Sequence, residues 1–451
     1  MSTRGLVKVT IDAVDRRVDL VLPERSVVAE LLPGILRHAG DDLADEGALQ
    51  GGWVLRRPDG ETLETHRDLG SQHVRDGEIL HLAPTHQQWP EPAYDDLVDA
   101  IASSARAHGR EWSARTTRVC GLAVGSIAAA MALAVRVWTG PAAGTVWLFA
   151  FGVACLLLLA GVVLARAFGD AATGALAGAI AVGYAGVGGA LLPASQYQLS
   201  ELGAPHLTAA GAALLLFGLA GYLGVAAYTE VFVAPSTAGL LALAGGWLAS
   251  GPWEATRTAG TIGVLALALL PVAAPVAIRI GRLPKPTLPS STGDLLADTP
   301  QPTPEAVSAA VLRTAALYTG ILLGLSAGLV SCLVILARSD SLPVRILIFL
   351  MAGVCLLRAR LLPVVAHRLP LLVAGLTGLV CLLLQLPGPT PYALLGLAAT
   401  TAFLGLWYAG HKPSAYLARA AELAEIVLVL FVVPVLMSVL GLYGYVRGLA
   451  G

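Results

Sequence analysis

The chain has 451 residues, of which 56% are hydrophobic and only 13% are charged, and its mean hydropathy is +0.72. A soluble domain carries about 25% charged residues, so this composition excludes a wholly soluble protein. The net charge of −1 removes any global electrostatic basis for nucleic-acid binding. Five cysteines without CxxC spacing predict neither a disulfide framework nor a zinc site.

The charged residues are concentrated near the N-terminus. Residues 1–118 hold 14 Lys and Arg and 20 Asp and Glu, out of 59 charged residues in the whole chain. This distribution predicts a soluble N-terminal module followed by a membrane module. Charged residues interrupt positions 1–20 and no apolar block forms there, so we expect no signal peptide and a cytosolic N-terminus.

The N-terminal module begins with two alternating segments, 6–12 and 18–23, which are typical of a β-hairpin. Ser26 then suits the N-cap of a helix that ends at Gly40 and is bent at Pro33.

Two further strands are predicted at 53–57 and 78–82. The order of two strands, a helix and later strands predicts a ubiquitin-like β-grasp domain (α+β) over residues 1–85. A core this small leaves little room for an enclosed pocket, so the module favours binding over catalysis.

A linker at residues 86–118 follows. Apolar residues recur at helical spacing over 94–105, and Arg106, Arg110, Arg115 and Arg118 come after them. The pattern predicts an amphipathic basic helix whose arginines contact anionic lipid headgroups and keep the N-terminus of the first span inside. The alternative is a solvated helix that only connects the two modules.

The remainder is predicted to be an all-α polytopic membrane bundle of about eleven transmembrane helices, because about eleven apolar runs could each cross a bilayer of ~30 Å. The boundary between the fourth and fifth runs is poorly marked, since Glu230 is its only charge. The runs are centred near Ile127, Cys155, Val182, Leu216, Leu240, Leu267, Leu325, Leu350, Gly378, Ala399 and Leu430.

The basic residues predict the topology of these runs. With the N-terminus inside, ten Lys and Arg lie on cytosolic loops and flanks and five lie opposite, which agrees with the positive-inside rule. A proline-rich cytosolic linker at 281–305 then separates helices 1–6 (119–280) from helices 7–11 (306–451). Eleven spans place the C-terminus outside.

The spans offer little that could carry chemistry. Their ionisable residues, such as Glu230, Glu422, Glu425, Arg136 and Arg358, lie near predicted membrane ends, whereas transporters usually carry such groups deep in their spans. No HExxH, GxGxxG or GxxxxGK[ST] motif occurs. A GxSxG match at 324–328 lies inside an apolar helix and is attributed to chance. We therefore predict no catalytic, metal-binding or cofactor-binding residues.

Small residues are the distinctive feature of the spans. Gly320, Gly324 and Gly328 form GxxxGxxxG on one helix face, and Gly174 and Gly178 repeat the spacing. Such faces let helix backbones approach closely. They predict helix packing within one chain or a dimer face between two chains.

The whole arrangement resembles EccD, the polytopic core component of actinobacterial type VII (ESX) secretion systems. Three segments carry the resemblance together with the span count: VVAELLP at 27–33, RHAG at 37–40 and VRDGEILHL at 74–82. Arginine far outnumbers lysine and asparagine does not occur, which is typical of a high-GC actinobacterium.

The resemblance implies a non-enzymatic scaffold, multi-pass in the cell inner (plasma) membrane, without cofactors. EccD-like proteins form dimers within a complex with EccB, EccC and EccE, and the paired bundles enclose a lipid-filled space. Their ubiquitin-like domains contact the cytosolic part of EccC, the export ATPase. Two other classes stay open at this point: a secondary transporter with a soluble regulatory domain, and an intramembrane enzyme.

Overall fold

The computed structural model divides the chain into two compact units, Met1–Trp112 and Ser113–Gly451. The residues that the structure describes are 5–13, 16–40, 52–58, 60–84, 113–138, 145–193, 203–284, 303–385, 388, 390–410, 414–443 and 445.

The first unit contains one mixed sheet of four strands in the order β2-β1-β4-β3. Strand β1 runs parallel to β4, while the β1–β2 and β3–β4 pairs are antiparallel. This topology confirms the predicted β-grasp fold. The strands are β1 (Leu6–Asp12), β2 (Arg17–Pro23), β3 (Trp53–Arg56) and β4 (Glu78–Pro84).

Helix α1 (Val28–Ala39) supplies Ile35, 1% exposed, to a core that also holds fully buried Ile11 and Leu80. The prediction of Ser26 as its N-cap is wrong. Val27 occupies that position without a side-chain hydrogen bond. The N–H groups of Val28 and Ala29 instead donate to the carbonyl oxygens of residues 67 and 65, so a distant loop satisfies the helix start.

The second unit contains eleven described helices that are long and apolar enough to cross a membrane. Each predicted centre lies in one of them, so the predicted count is confirmed. The helices are α2 (Ala114–Trp138), α3 (Val146–Arg166), α4 (Ala171–Leu191), α5 (Ala204–Val225), α6 (Thr229–Ala249), α7 (Ala255–Gly281), α8 (Pro304–Leu336), α9 (Leu342–Ala359), α10 (Val365–Leu384), α11 (Thr390–Gly410) and α12 (Ala415–Val439).

The poorly marked boundary between the fourth and fifth spans is a sharp break between α5 and α6. Ala226 and Tyr228 have φ angles of 53° and 49°, a left-handed conformation that no helix continues through. Glu230 therefore lies in the first turn of α6, at a helix end rather than inside a span.

Helix α8 forms the centre of the bundle and packs against α6, α7 and α10. Its buried side chains include Leu325 and Leu329, which are at most 1% exposed. At 33 residues it is about 50 Å long, more than the ~30 Å hydrocarbon core. Gly281, the last residue of α7, lies beside Thr314 of α8. The residues of α8 that precede Thr314 therefore extend beyond the C-terminal end of α7.

Candidate functional site

The three glycines of α8 face helix α6 of the same chain. A Cβ atom built on Gly320 would lie 2.7 Å from Val233 Cβ, and one on Gly328 would lie 2.5 Å from Leu241 Cδ1. Real Cβ atoms do not approach other atoms this closely. The glycine face is therefore already covered within the chain, and a dimer formed through it would require α6 to move away.

The same contacts give the relative direction of the two helices. Gly320, Gly324 and Gly328 meet residues 233, 237 and 241 in turn, so α6 and α8 run parallel. When successive spans alternate in direction, two spans that run parallel must both be odd-numbered or both be even-numbered. This agrees with their places as the fifth and seventh helices.

The second glycine pair joins α4 to two different helices. A Cβ atom on Gly174 would lie 2.5 Å from the carbonyl oxygen of Gly161 in α3. One on Gly178 would lie 2.6 Å from the ring of Phe232 in α6, which is fully buried. These positions also serve packing within the chain.

The four arginines that were predicted to contact the membrane surface lie in different surroundings. Arg106 and Arg110 lie outside the described residues. Arg115 is exposed at the start of α2. Arg118 donates hydrogen bonds to Asp170 and to Thr173 Oγ1, so it joins α2 to the N-terminal end of α4. Hydrogen bonds from Thr173, and then from Arg118, hold the pKa of Asp170 below its ordinary value.

A second charged group joins α9 to α12. Arg358 Nη1 and Arg360 Nη2 both lie 3.7 Å from the Glu425 carboxylate, which is 13% exposed. Arg360 also donates to the carbonyl oxygen of Ala418 at 2.8 Å. Two guanidinium groups share one carboxylate, so the cluster carries a net positive charge. Its two arginines lie at the C-terminal end of α9, and Glu425 is the eleventh of the 25 residues of α12.

The described residues contain no group of three or more His, Cys, Asp or Glu side chains that could hold a metal ion. Ser326, the serine of the GxSxG match, is 4% exposed and lies inside α8. A nucleophile elbow requires a strand-to-helix turn, and this helix interior does not provide one.

The first unit has one partly apolar surface, the face of the sheet opposite α1. Leu6, Val21 and Ile79 are the exposed large apolar side chains of its described residues, with 51%, 60% and 37% exposure. The strand register places all three on this face. Sequence patterning missed this surface because it depends on which strands are neighbours.

Comparisons with known proteins agree on the family. Residues 117–449 match the model of the EccD-like transmembrane domain. Residues 6–82 match the model of YukD, a protein of the WXG100 protein secretion system.

The curated relatives include eccD4, an ESX-4 secretion system protein, from two strains of Mycobacterium tuberculosis. Each is 30% identical over 234 residues, covering 50% of this chain and 49% of the relative. The chain thus aligns with about half the length of the curated relatives it matches.

Two solved structures show the same fold. Protomer 1 of the ESX-3 core complex has a TM-score of 0.57 and 21% identity, covering 98% of this chain and all of the other. A chain of the MycP5-free ESX-5 inner membrane complex has a TM-score of 0.57 and 16% identity, covering 90% of this chain and all of the other. With a YukD-type β-grasp domain, eleven apolar helices and the match to the EccD-like transmembrane domain, this chain belongs to the EccD family.

Proposed function

We propose that this protein is a non-enzymatic scaffold of a type VII (ESX) secretion complex in the cell inner membrane. The observation that carries the proposal is the match of 117–449 to the EccD-like transmembrane domain, preceded by a YukD-type domain at 6–82. EccB, EccC and EccE-type components and a second copy of the chain are the proposed partners.

The distribution of charge supports a structural role over a transport role. Of the described ion pairs of the helical unit, Arg118–Asp170 and Arg345–Asp340 lie at helix ends. Arg358 and Arg360 lie at the C-terminal end of α9, where they meet Glu425 of α12. A proton or ion relay places paired ionisable groups along a path through the membrane. The described helices instead bury glycine and aliphatic side chains.

The docking surface for the export ATPase is proposed to be the outer face of the sheet. An exposed apolar group on an otherwise polar surface is typical of a protein–protein contact. Leu6 and Val21, diagonal neighbours across the β1–β2 pair, form such a group, and Ile79 lies on the same face beside Thr10, on the far side of β1, while α1 covers the other face of the sheet.

The second copy would bind the outer surface of the bundle. The glycine faces are occupied within the chain. Helix α2 contains no buried residue, and none of the described side chains of α11 is buried either. These two helices therefore offer surface that the described part of the chain leaves uncovered.

The proposed orientation is a cytosolic N-terminus and an extracytoplasmic C-terminus. The ten-to-five excess of Lys and Arg on one side supports it. It places the YukD-type domain and the segment 281–305 in the cytosol.

Affinity purification of the full chain from native membranes tests the proposal. A large assembly that contains an ATPase is the expected result. A single chain without partners would overturn it and favour the second candidate, a secondary transporter with a soluble regulatory domain.

A truncation lacking residues 1–85 separates docking from assembly. It should insert and dimerise, because the helical unit holds its own packing contacts, but it should lose export and the ATPase. Val21→Asp in the full chain should reproduce this loss, because it places a carboxylate in the apolar group. Arg37→Asp, on the exposed side of α1, is the matched control and should retain export. Normal export by the truncation would rule out the docking role.

A further inference from the structure

A cavity of about 220 Å³ lies among α7, α8, α9 and α10. Its walls are formed largely by apolar side chains, including Leu270, Leu322 and Leu371. Among the described residues that line it, Arg358 and Tyr318 alone carry polar side chains. Pro271 and Leu361 are exposed at its rim, so the cavity opens on the outer surface of the bundle.

The positive charge at this cavity is incompletely balanced. Arg358 and Arg360 share the single carboxylate of Glu425, and each lies 3.7 Å from it. The Arg358 side chain is 27% exposed, and its guanidinium donates no hydrogen bond to any residue that the structure describes. A partly buried guanidinium is stabilised when an anion accepts its N–H groups. The cavity is the open space into which such an anion would fit.

The polar side of the cavity offers one further donor. The Tyr318 hydroxyl has no hydrogen-bond partner within the described part of the chain. His367, in the first turn of α10, packs edge-on against the Tyr318 ring with centroids 4.7 Å apart. Helix α10 therefore starts beside this ring, and its N-cap residue Val364 supplies no side-chain hydrogen bond. The first residues of α10 do not themselves line the cavity, so Tyr318 is the donor on this side.

The size and the walls of the cavity restrict its occupant. Pockets for whole small molecules measure about 300–1,000 Å³, so 220 Å³ holds only one end of a larger molecule. Apolar walls disfavour a hydrated free ion. An amphiphile with an anionic end, whose remainder lies in the bilayer, satisfies both conditions.

We propose that this cavity binds the phosphate-bearing end of one anionic phospholipid. The Arg358 guanidinium and the Tyr318 hydroxyl donate to the phosphate oxygens, and the adjoining chain follows Leu270 and Leu322 to the rim at Pro271. The site lies inside a single bundle. It therefore does not depend on a second copy of the chain or on the proposed role in secretion.

Native mass spectrometry of the delipidated full chain, titrated with phosphatidylglycerol or phosphatidylcholine, tests the site. One phosphatidylglycerol should bind each chain about tenfold more tightly than phosphatidylcholine, as expected when charge-assisted hydrogen bonds distinguish the two. Equal binding of the two lipids would overturn the proposal. Displacement of phosphatidylglycerol by millimolar inorganic phosphate would also overturn it, because the site would then recognise free phosphate.

Two variants assign the binding to this cavity. Ala274→Phe fills it from α7 and should abolish the tight site, whereas Leu265→Phe, on the same helix at a 42% exposed position, should retain it. Tyr318→Phe removes only a hydroxyl group and should weaken phosphatidylglycerol binding several-fold with an unchanged melting temperature. Wild-type affinity in both Ala274→Phe and Tyr318→Phe would place the lipid elsewhere and refute the site.

Discussion

Gly324 of α8 and Thr237 of α6 lie so close that a Cβ atom on the glycine would be 2.6 Å from Thr237 Cβ. No side chain fits between these two backbones. The contact lies at the centre of the bundle, where α8 packs against α6, α7 and α10. The glycine repeat of α8 thus holds the single chain together.

Gly324→Leu should destabilise the single chain, because the larger side chain forces α6 and α8 apart. Overpacking costs typically 1–3 kcal/mol, and the backbone contact here places the variant at about 3 kcal/mol. Thermal unfolding of the purified protein in detergent measures the change. Gly152→Leu on α3, where a Cβ atom meets nothing within 4 Å, is the control and should leave the melting temperature almost unchanged. Loss of dimerisation with an unaltered melting temperature would instead assign the glycine face to a contact between chains.

Residues 1–85 should fold as an isolated domain, because the strands, the helix and the core of the first unit all lie in this range. Ile35→Asp should unfold the fragment, because an unpaired charge would lie at a 1% exposed position at a cost of several kcal/mol. Leu31→Asp should cost less, since Leu31 is only partly buried at the edge of this core.

Circular dichroism and urea unfolding of the three fragments check this ranking. A random-coil spectrum of the wild-type fragment would contradict independent folding. A larger loss of stability in Leu31→Asp than in Ile35→Asp would contradict the placement of the core.

The fragment should lose stability in acid. A hydrogen bond from Arg17 holds the pKa of Asp12 below its ordinary value of 3.8, with a smaller contribution from His81. Hydrogen bonds from Ser71 lower the pKa of Asp68 in the same way. Because these carboxylates bind protons more weakly when folded, their contribution is present above about pH 4 and is lost as the pH falls through the lowered values.

Melting temperatures between about pH 5 and about pH 2 measure this acid sensitivity. The double variant Asp12→Asn/Asp68→Asn should show a shallower decline than the wild-type fragment. Identical slopes in the two proteins would show that other carboxylates account for the acid sensitivity.

The proposed orientation predicts the accessibility of two positions outside the described residues. A cysteine at Ser290 should be protected from impermeant reagents added to intact cells, because the proline-rich segment is expected in the cytosol. A phosphatase fused after Gly451 should be active, because that end is expected outside. Labelling of the cysteine in intact cells, or an inactive fusion, would reverse the assignment.

The sequence determines those features of this protein that depend on local composition and periodicity. Alternating residues at 6–12 and 18–23 locate the hairpin, and apolar runs locate all eleven spans, because each element is specified by its own side chains. The tertiary structure alone decides which distant residues become partners. It pairs Gly324 with Thr237, brings Arg358 to Glu425, and provides the start of α1 with backbone acceptors at residues 65 and 67 in place of Ser26. Each of these contacts joins residues that are far apart in the sequence. Local sequence patterns carry no information about the distance between such residues.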